Sequence, residues 1–208
     1  MIYSSLLVPC GLMNYLAHAY LSFGHPGILT GNMISDFVKG KKKFDYPAEV
    51  QQGIALHRAI DSFTDIHEAT REAKQVFRPA YRLYSGALVD VLYDHFLAND
   101  ESEFTEASLF DFAKVTYAAL DKQAGWMPER FAHMFPYMKQ QNWLYNYRTR
   151  WGTKKSLGGV VRRSEHLTDS ETAFIIFEEH YQLLAQCYRH FWAAVKPFAR
   201  KMFDGMKV

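Results

Sequence analysis

The sequence predicts an all-α chain folded as a single-domain helical bundle. Nearly half of its 208 residues are apolar (49%) and 16% are aromatic, enough for one continuous core. Apolar positions recur at helical intervals, with little period-two alternation and almost no Val/Ile/Thr-rich run. No repeat, low-complexity tract or linker divides the chain.

The elements follow in order. A short helix is expected from Leu12 to Phe23, stopped by the breaker cluster Gly24-His25-Pro26-Gly27. A second runs from Ile28 to Lys39 and ends in Gly40, followed by the basic run Lys41-Lys42-Lys43. Pro47 suits the first position of a longer helix through Phe63. A segment rich in acids and bases covers His67 to Phe77 and is interrupted by Pro79. A strongly apolar helix spans Ala80 to Ala98, and Asn99 to Glu103 forms a polar turn. Further helices are expected at 105–121, 128–140 and 142–157, with a break at Gly158-Gly159. An aromatic helix from Ser170 to Phe203 should kink or end early at Pro197.

Composition bounds function only loosely. A net charge of +2 is too small to imply nucleic acid, and no nucleic-acid partner is expected. Cys10 and Cys187 form no CxxC or zinc-ribbon spacing, which fits a reduced, cytoplasmic chain. No apolar run reaches the ~18 residues of a membrane span, and no basic n-region precedes a signal-like stretch. The better-patterned segment opens at Met13. Residues 1–12 therefore read as an N-terminal extension or a mis-called start, and 13–208 as the helical domain.

The stretch GIALHRAIDSFTDIH (53–67) sets charge into a core-like helix. Burying an ion costs several kcal/mol unless it is paired or bound. At 100° per residue, Leu56, Ile60 and Phe63 share one face, and Val50, Ile54, His57 and Asp61 form the adjoining stripe. His57 and Asp61 are thus i, i+4 neighbours, with Asp65 slightly further round. In isolation such a pair reads as a carboxylate orienting a core histidine. VDVLYDHFLA (89–98) repeats the anomaly. Asp90 and Asp94 lie one turn apart beside an apolar face, with His95 following. These two acids should repel unless a cation lies between them or one is protonated. His18 in NYLAHAYL and Asp36 in GNMISDFVKG add a third and a fourth helical segment. Histidine and carboxylate projecting from several helices is how bundles build metal sites. A thiolate-free donor set suits Mn²⁺, Fe²⁺, Mg²⁺ or Zn²⁺.

Read in order, these segments resemble the acyl carrier protein phosphodiesterase family. The matching residues are Asn14-Tyr-Leu-Ala-His18, Gly31-Asn-Met-Ile-Ser-Asp36-Phe-Val-Lys-Gly40, Gly53 through Asp65, and Asp90-Val-Leu-Tyr-Asp94-His95-Phe-Leu97. A weaker match continues through Asn142-Trp-Leu-Tyr-Asn-Tyr147 and the last aromatic helix. The resemblance implies an all-helical fold like that of the HD-type metal-dependent phosphohydrolases. It implies hydrolysis of the phosphodiester joining 4′-phosphopantetheine to a serine of acyl carrier protein, supported by Mn²⁺. Carried over by position, Asp36 is the leading metal-site carboxylate and His57 the next ligand, followed by Asp61, Asp94, His95 and His18. The adjacent His-Asp pair of HD enzymes does not occur in this chain; His57 with Asp61 and the reversed Asp94-His95 stand nearest to it.

On this reading Asp36, Asp61 or Asp65 orients water or takes its proton, and Arg58 offers phosphate a two-pronged donor. The partner would be an acidic carrier protein. Lys39, Lys41, Lys42 and Lys43 would rim the site, and Arg148, Arg150, Lys154, Lys155, Arg162 and Arg163 make a second basic cluster. Two rivals stay open at this level: a phosphohydrolase acting on another phosphoester such as a nucleotide, and a non-catalytic helical module that binds an acidic partner. The chain has no phosphate-cradling glycine loop, which argues against P-loop chemistry alone.

Overall fold

The computed structural model describes residues 15–164 and 166–206. The expected extension at 1–12, Cys10 and Asn14 lie outside the described residues. All regular structure among the described residues is helical, as the apolar periodicity predicts.

The first two helices end sooner than expected. Helix α1 covers Tyr15–Tyr20. Helix α2 covers Pro26–Ile34, so Pro26-Gly27 opens a helix instead of breaking the chain. Pro26 sits in the first turn, where its missing N–H costs nothing, and the His25 ring accepts from the Ile28 amide. Short 3₁₀ turns at Ser35–Phe37 and Gly40–Asp45 replace the second half of that expected helix. Helix α3 (Ala48–Ile66) begins after Pro47 as anticipated.

Helix α4 (Glu68–Tyr81) carries Pro79 in its last turn, and Arg82, at φ +46°, turns the chain out of it. A 3₁₀ turn at Arg82–Tyr84 then leads into α5 (Ser85–Ala98). Helices α6 (Glu106–Asp121) and α7 (Glu129–Gln140) fall where expected. The predicted 142–157 helix is two pieces, α8 (Trp143–Asn146) and α9 (Arg150–Arg163). Gly158 and Gly159 are inside α9, because tertiary packing overrides their weak helix propensity. The last expected helix is divided at His180 into α10 (Glu171–Glu179) and α11 (Tyr181–Asp204), and Pro197 is accommodated within α11.

Helix α5 is the axis of the core. It is buried around nearly its whole circumference and packs against α1, α4, α9 and α11. Its rings stack on those of α11, with Tyr93 on Phe191 and Phe96 on Tyr188. Glu103, in the α5–α6 turn, ties α1 to α11 by accepting from Tyr20, Trp192 and Lys196.

The tightest crossing joins α2 to α3. A Cβ on Gly31 would fall on the Val50 carbonyl oxygen and 2.7 Å from the Ile54 nitrogen. A Cβ on Gly53 would fall on the Ile28 carbonyl oxygen and 2.9 Å from the Gly31 Cα. Backbone meets backbone there, so neither helix can yield by rotating a side chain. Gly53→Ala should therefore destabilise the fold by about 3 kcal/mol, the upper end of overpacking costs. Gly125→Ala, with open space around its Cβ, should stay within ~0.5 kcal/mol of the parent. Urea denaturation midpoints of the two variants test the contrast, and equal midpoints would contradict it.

Candidate metal centre

The site is assembled from the α1, α2 and α3 backbones. The Asp94 carboxylate of α5 accepts the Leu16 amide at 3.0 Å and the Ala17 amide at 2.8 Å, capping the start of α1. One residue on, His18 turns into the core, only 2% exposed. The close α2–α3 crossing then brings Asn32 against both histidines. His18 Nδ1 donates to the Asn32 side-chain oxygen at 2.7 Å, and His57 Nδ1 donates to the Asn32 backbone carbonyl at 2.7 Å. Asn32 is held in turn, its amide donating to the His18 carbonyl and to Ser22 Oγ. The two imidazoles stack at 4.0 Å between centroids, and each Nε2 is left to face the same point.

Asp61 meets that point, and Asp36 approaches it from the His57 side. One Asp61 oxygen lies 3.2 Å from His18 Nε2 and the other 3.1 Å from His57 Nε2. An Asp36 oxygen lies 3.2 Å from His57 Nε2. The carboxylates form the open side: the Asp61 side chain is 37% exposed, against 3% for His18. Asp36 occupies the 3₁₀ turn after α2, and Arg58 Nη2 steadies the end of that turn by donating to the Val38 carbonyl at 2.8 Å.

The charges are strongly coupled. Burial works against the His57 imidazolium, but hydrogen bonds to Asp36 and Asp61 outweigh it and push the group up to about 10. Burial and then the neighbouring His57 charge push His18 down. Burial would raise Asp61, yet the two histidines hold it well below the usual carboxylate range.

A divalent ion fits this donor set. Ligand atoms about 2.1 Å from one ion stand roughly 3.0–3.4 Å apart in octahedral or tetrahedral shells, the spacing found here. The candidate ligand atoms of His18, His57 and Asp61 all lie within 4.8 Å of one another. His18 Nε2 is buried and makes no directional hydrogen bond, although Asp61 lies beside it.

The expected ligand set needs correction on α5. Asp94 spends its oxygens on the α1 amides. His95 points elsewhere, since successive helical residues diverge by 100°. Its Nδ1 donates to the Tyr147 carbonyl at 2.8 Å, and its Nε2 lies 3.0 Å from the Arg150 guanidinium. Burial, with the Arg150 charge, pushes His95 down to about 4. Asp65 is likewise apart from the cluster, in an exposed pair with Lys74 at 2.8 Å. The phosphate contact expected of Arg58 is replaced, at Nη2, by the bond to Val38.

The carboxyl of α5 that senses the cluster is Asp90. Burial and then the Asp61 charge push it up to about 8, and no hydrogen bond or ion pair among the described residues reaches it. Asp94 is pushed up too, chiefly by burial. The repulsion between these two acids is thus relieved by protonation. Asn32 and Asp90 are the residues that sequence reasoning left off the site. The signal for Asn32 was a polar side chain among apolar ones, directly after Gly31.

A family profile described as acyl carrier protein phosphodiesterase matches residues 13–195. The chain belongs to the acyl carrier protein phosphodiesterase family. Relatives of that name include one from Yersinia pestis, 32% identical over 86% of this chain and 94% of its own length. Another, from Enterobacter sp. (strain 638), is 31% identical over the same shares. A third, from Yersinia enterocolitica, is 32% identical over 88% of this chain and 95% of its own. No solved structure matches. In this phosphodiesterase-family chain the matched span contains every residue of the cluster.

The proton on His57 gives the centre a measurable signature. An ion binding at Nε2 must displace it, so Mn²⁺ affinity should rise roughly tenfold per unit between pH 6 and 8. Calorimetry in buffers of different ionisation enthalpy should register the released proton, and a flat profile would contradict the geometry. Without the ion, the raised His57 stabilises the fold fully below the ordinary histidine range, and that contribution is lost as pH climbs through about 10. Asn32→Ala should weaken Mn²⁺ binding by about 10–100-fold, as loss of a ligand-orienting partner does.

Proposed function

We propose that this chain hydrolyses the phosphodiester between 4′-phosphopantetheine and a serine of acyl carrier protein, giving apo carrier and 4′-phosphopantetheine. The observation that carries the reading is the convergence of His18, His57 and Asp61, with Asp36 against His57, in a chain of this family. We assign those four residues to a divalent cation, Mn²⁺ first, with Mg²⁺, Fe²⁺ or Zn²⁺ as alternatives. Such an ion, when bound, neutralises phosphate charge and acidifies a coordinated water.

The chain's own residues set the rest. Asn32 fixes both imidazoles with Nε2 inward. Asp61 and Asp36 are the exposed members, so they meet an incoming diester and its attacking water. Asp90, pushed up by burial and then by the Asp61 charge, is our choice of donor to the departing serine. We place the carrier's acidic surface near Lys39, Lys41, Lys42 and Lys43, which begin three residues after Asp36. The 3₁₀ turn that holds most of them is largely exposed, and none of the four enters an ion pair among the described residues. No helix among the described residues is long and apolar enough to cross a membrane.

Mass spectrometry of holo carrier protein incubated with this protein and Mn²⁺ tests the proposal. Loss of the phosphopantetheine mass is expected. Asp61→Asn should lower that turnover by roughly 10²-fold or more while the far-ultraviolet circular dichroism is unchanged. Intact holo carrier alongside cleavage of a nucleotide diester would replace this substrate with the nucleotide class. Binding of the carrier without cleavage of either would favour a non-catalytic module.

A further inference from the structure

The second basic cluster does not act as one surface. Arg148 pairs with Glu106 at 2.8 Å, Arg150 with Glu178 at 2.9 Å and Lys154 with Glu171 at 2.6 Å. Lys155, Arg162 and Arg163 enter no ion pair among the described residues, and all three are exposed. They converge on one groove between α8 and α9, lined also by Trp143, Trp151 and Ser156.

The fold builds this groove deliberately. A Cβ on Gly152 would fall on the Asn146 carbonyl oxygen, so α9 starts hard against α8. The Thr149 hydroxyl caps α9 by accepting the Gly152 amide at 2.9 Å. Trp151, Lys155 and Arg162 then recur along one stripe of α9. Trp151 is left 57% exposed, with Lys155 Nζ 5.8 Å from its ring centroid. Unpaired like charges on one helix face repel, and an exposed tryptophan gains nothing from water. Tryptophan and arginine grouped in this way are the composition of binding hot spots.

The groove also adjoins the candidate metal centre. Trp143 lies 6.5 Å from Tyr15, the first residue of α1, and Tyr15 lies 6.5 Å from Phe131. Phe131 lies 5.5 Å from Phe37, which follows Asp36. A chain of largely buried aromatic rings thus links the groove to the residue after Asp36, with His18 one turn along α1 from Tyr15.

We propose that the α8–α9 groove is a docking contact for the acidic carrier protein, separate from Lys39–Lys43. Carboxylates on the carrier pair with Lys155, Arg162 and Arg163, and its apolar surface covers Trp151. Charge complementarity selects this occupant: among the described residues the groove offers three cations outside any ion pair and no carboxylate. The proposal rests on the carrier-protein reading above, and its test separates the two.

The full chain is compared with the double variant Lys155→Glu/Arg162→Glu and with Trp151→Ala, all three sites being exposed. Holo carrier and the small diester bis(p-nitrophenyl) phosphate serve as substrates, each with Mn²⁺. Binding of apo carrier is measured separately by fluorescence anisotropy. For the double variant, KM for holo carrier should rise about tenfold or more and lose much of its salt dependence, with kcat and small-diester kinetics within twofold of the parent. Apo carrier should bind about tenfold more weakly, and Trp151→Ala should move both quantities in the same direction. Unchanged carrier KM and binding in folded variants would overturn the groove. A parent chain that binds apo carrier through these residues but releases no phosphopantetheine would overturn the reaction and leave the groove standing. A parent chain that does not bind the carrier at all would overturn both.

Discussion

The backbone contact between Gly31 and Gly53 is the constraint on which the rest depends. Two helices can cross this closely only where neither carries a Cβ at the crossing. The carbonyl of Asn32, one residue after Gly31, then reaches His57, four residues after Gly53 and one turn along α3. That 2.7 Å bond sets one imidazole, and the Asn32 side chain sets the other. Were the helices a side chain's width further apart, the carbonyl would lose its partner and the two rings their common orientation. The family resemblance at Gly31-Asn and Gly53 through Asp61 thus has a physical basis: glycines that permit an approach, followed by the groups that use it.

The approach draws four carboxyls toward one half of the bundle, and each meets its burial differently. Asp94 is satisfied by two amides that the start of α1 would otherwise leave unpaired. Asp61 is satisfied by two imidazoles, and Asp36 shares one of them. Asp90 finds no such partner among the described residues, and burial pushes it up toward the neutral form. These are the available answers to a carboxyl at low dielectric: donors, cations or neutrality. Only the second of them builds a place where a metal cation can replace a proton.

The class of the fold was legible in the sequence because apolar periodicity reports which face of a helix is buried. Helices α3, α6 and α7 begin and end close to where their patterns place them. The breaks were less legible. Pro26, Pro79 and Pro197 all lie within helices, since a first turn, a last turn and a long packed helix each tolerate the missing donor. The site was half legible for the same reason. The pattern put His57 and Asp61 on one stripe and flagged His18 and Asp36, which the fold brings together. Asp94 was favoured over Asp90, although both occupy one stripe and differ only in what faces them. Asn32 was missed because its role depends on its carbonyl as much as on its side chain.

The exposure gradient across the cluster carries a last consequence. The histidines are almost sealed, while Asp61 opens to water. Two imidazoles and two carboxylates are too few groups to read the shape of a whole protein substrate. Selection must therefore come from surfaces that decide what arrives. A net charge of +2 conceals how the basic side chains are divided, several paired with local acids and others, in the α8–α9 groove, in no ion pair among the described residues. In such an arrangement the chemistry is general, and recognition is built from residues that never touch the reacting bond.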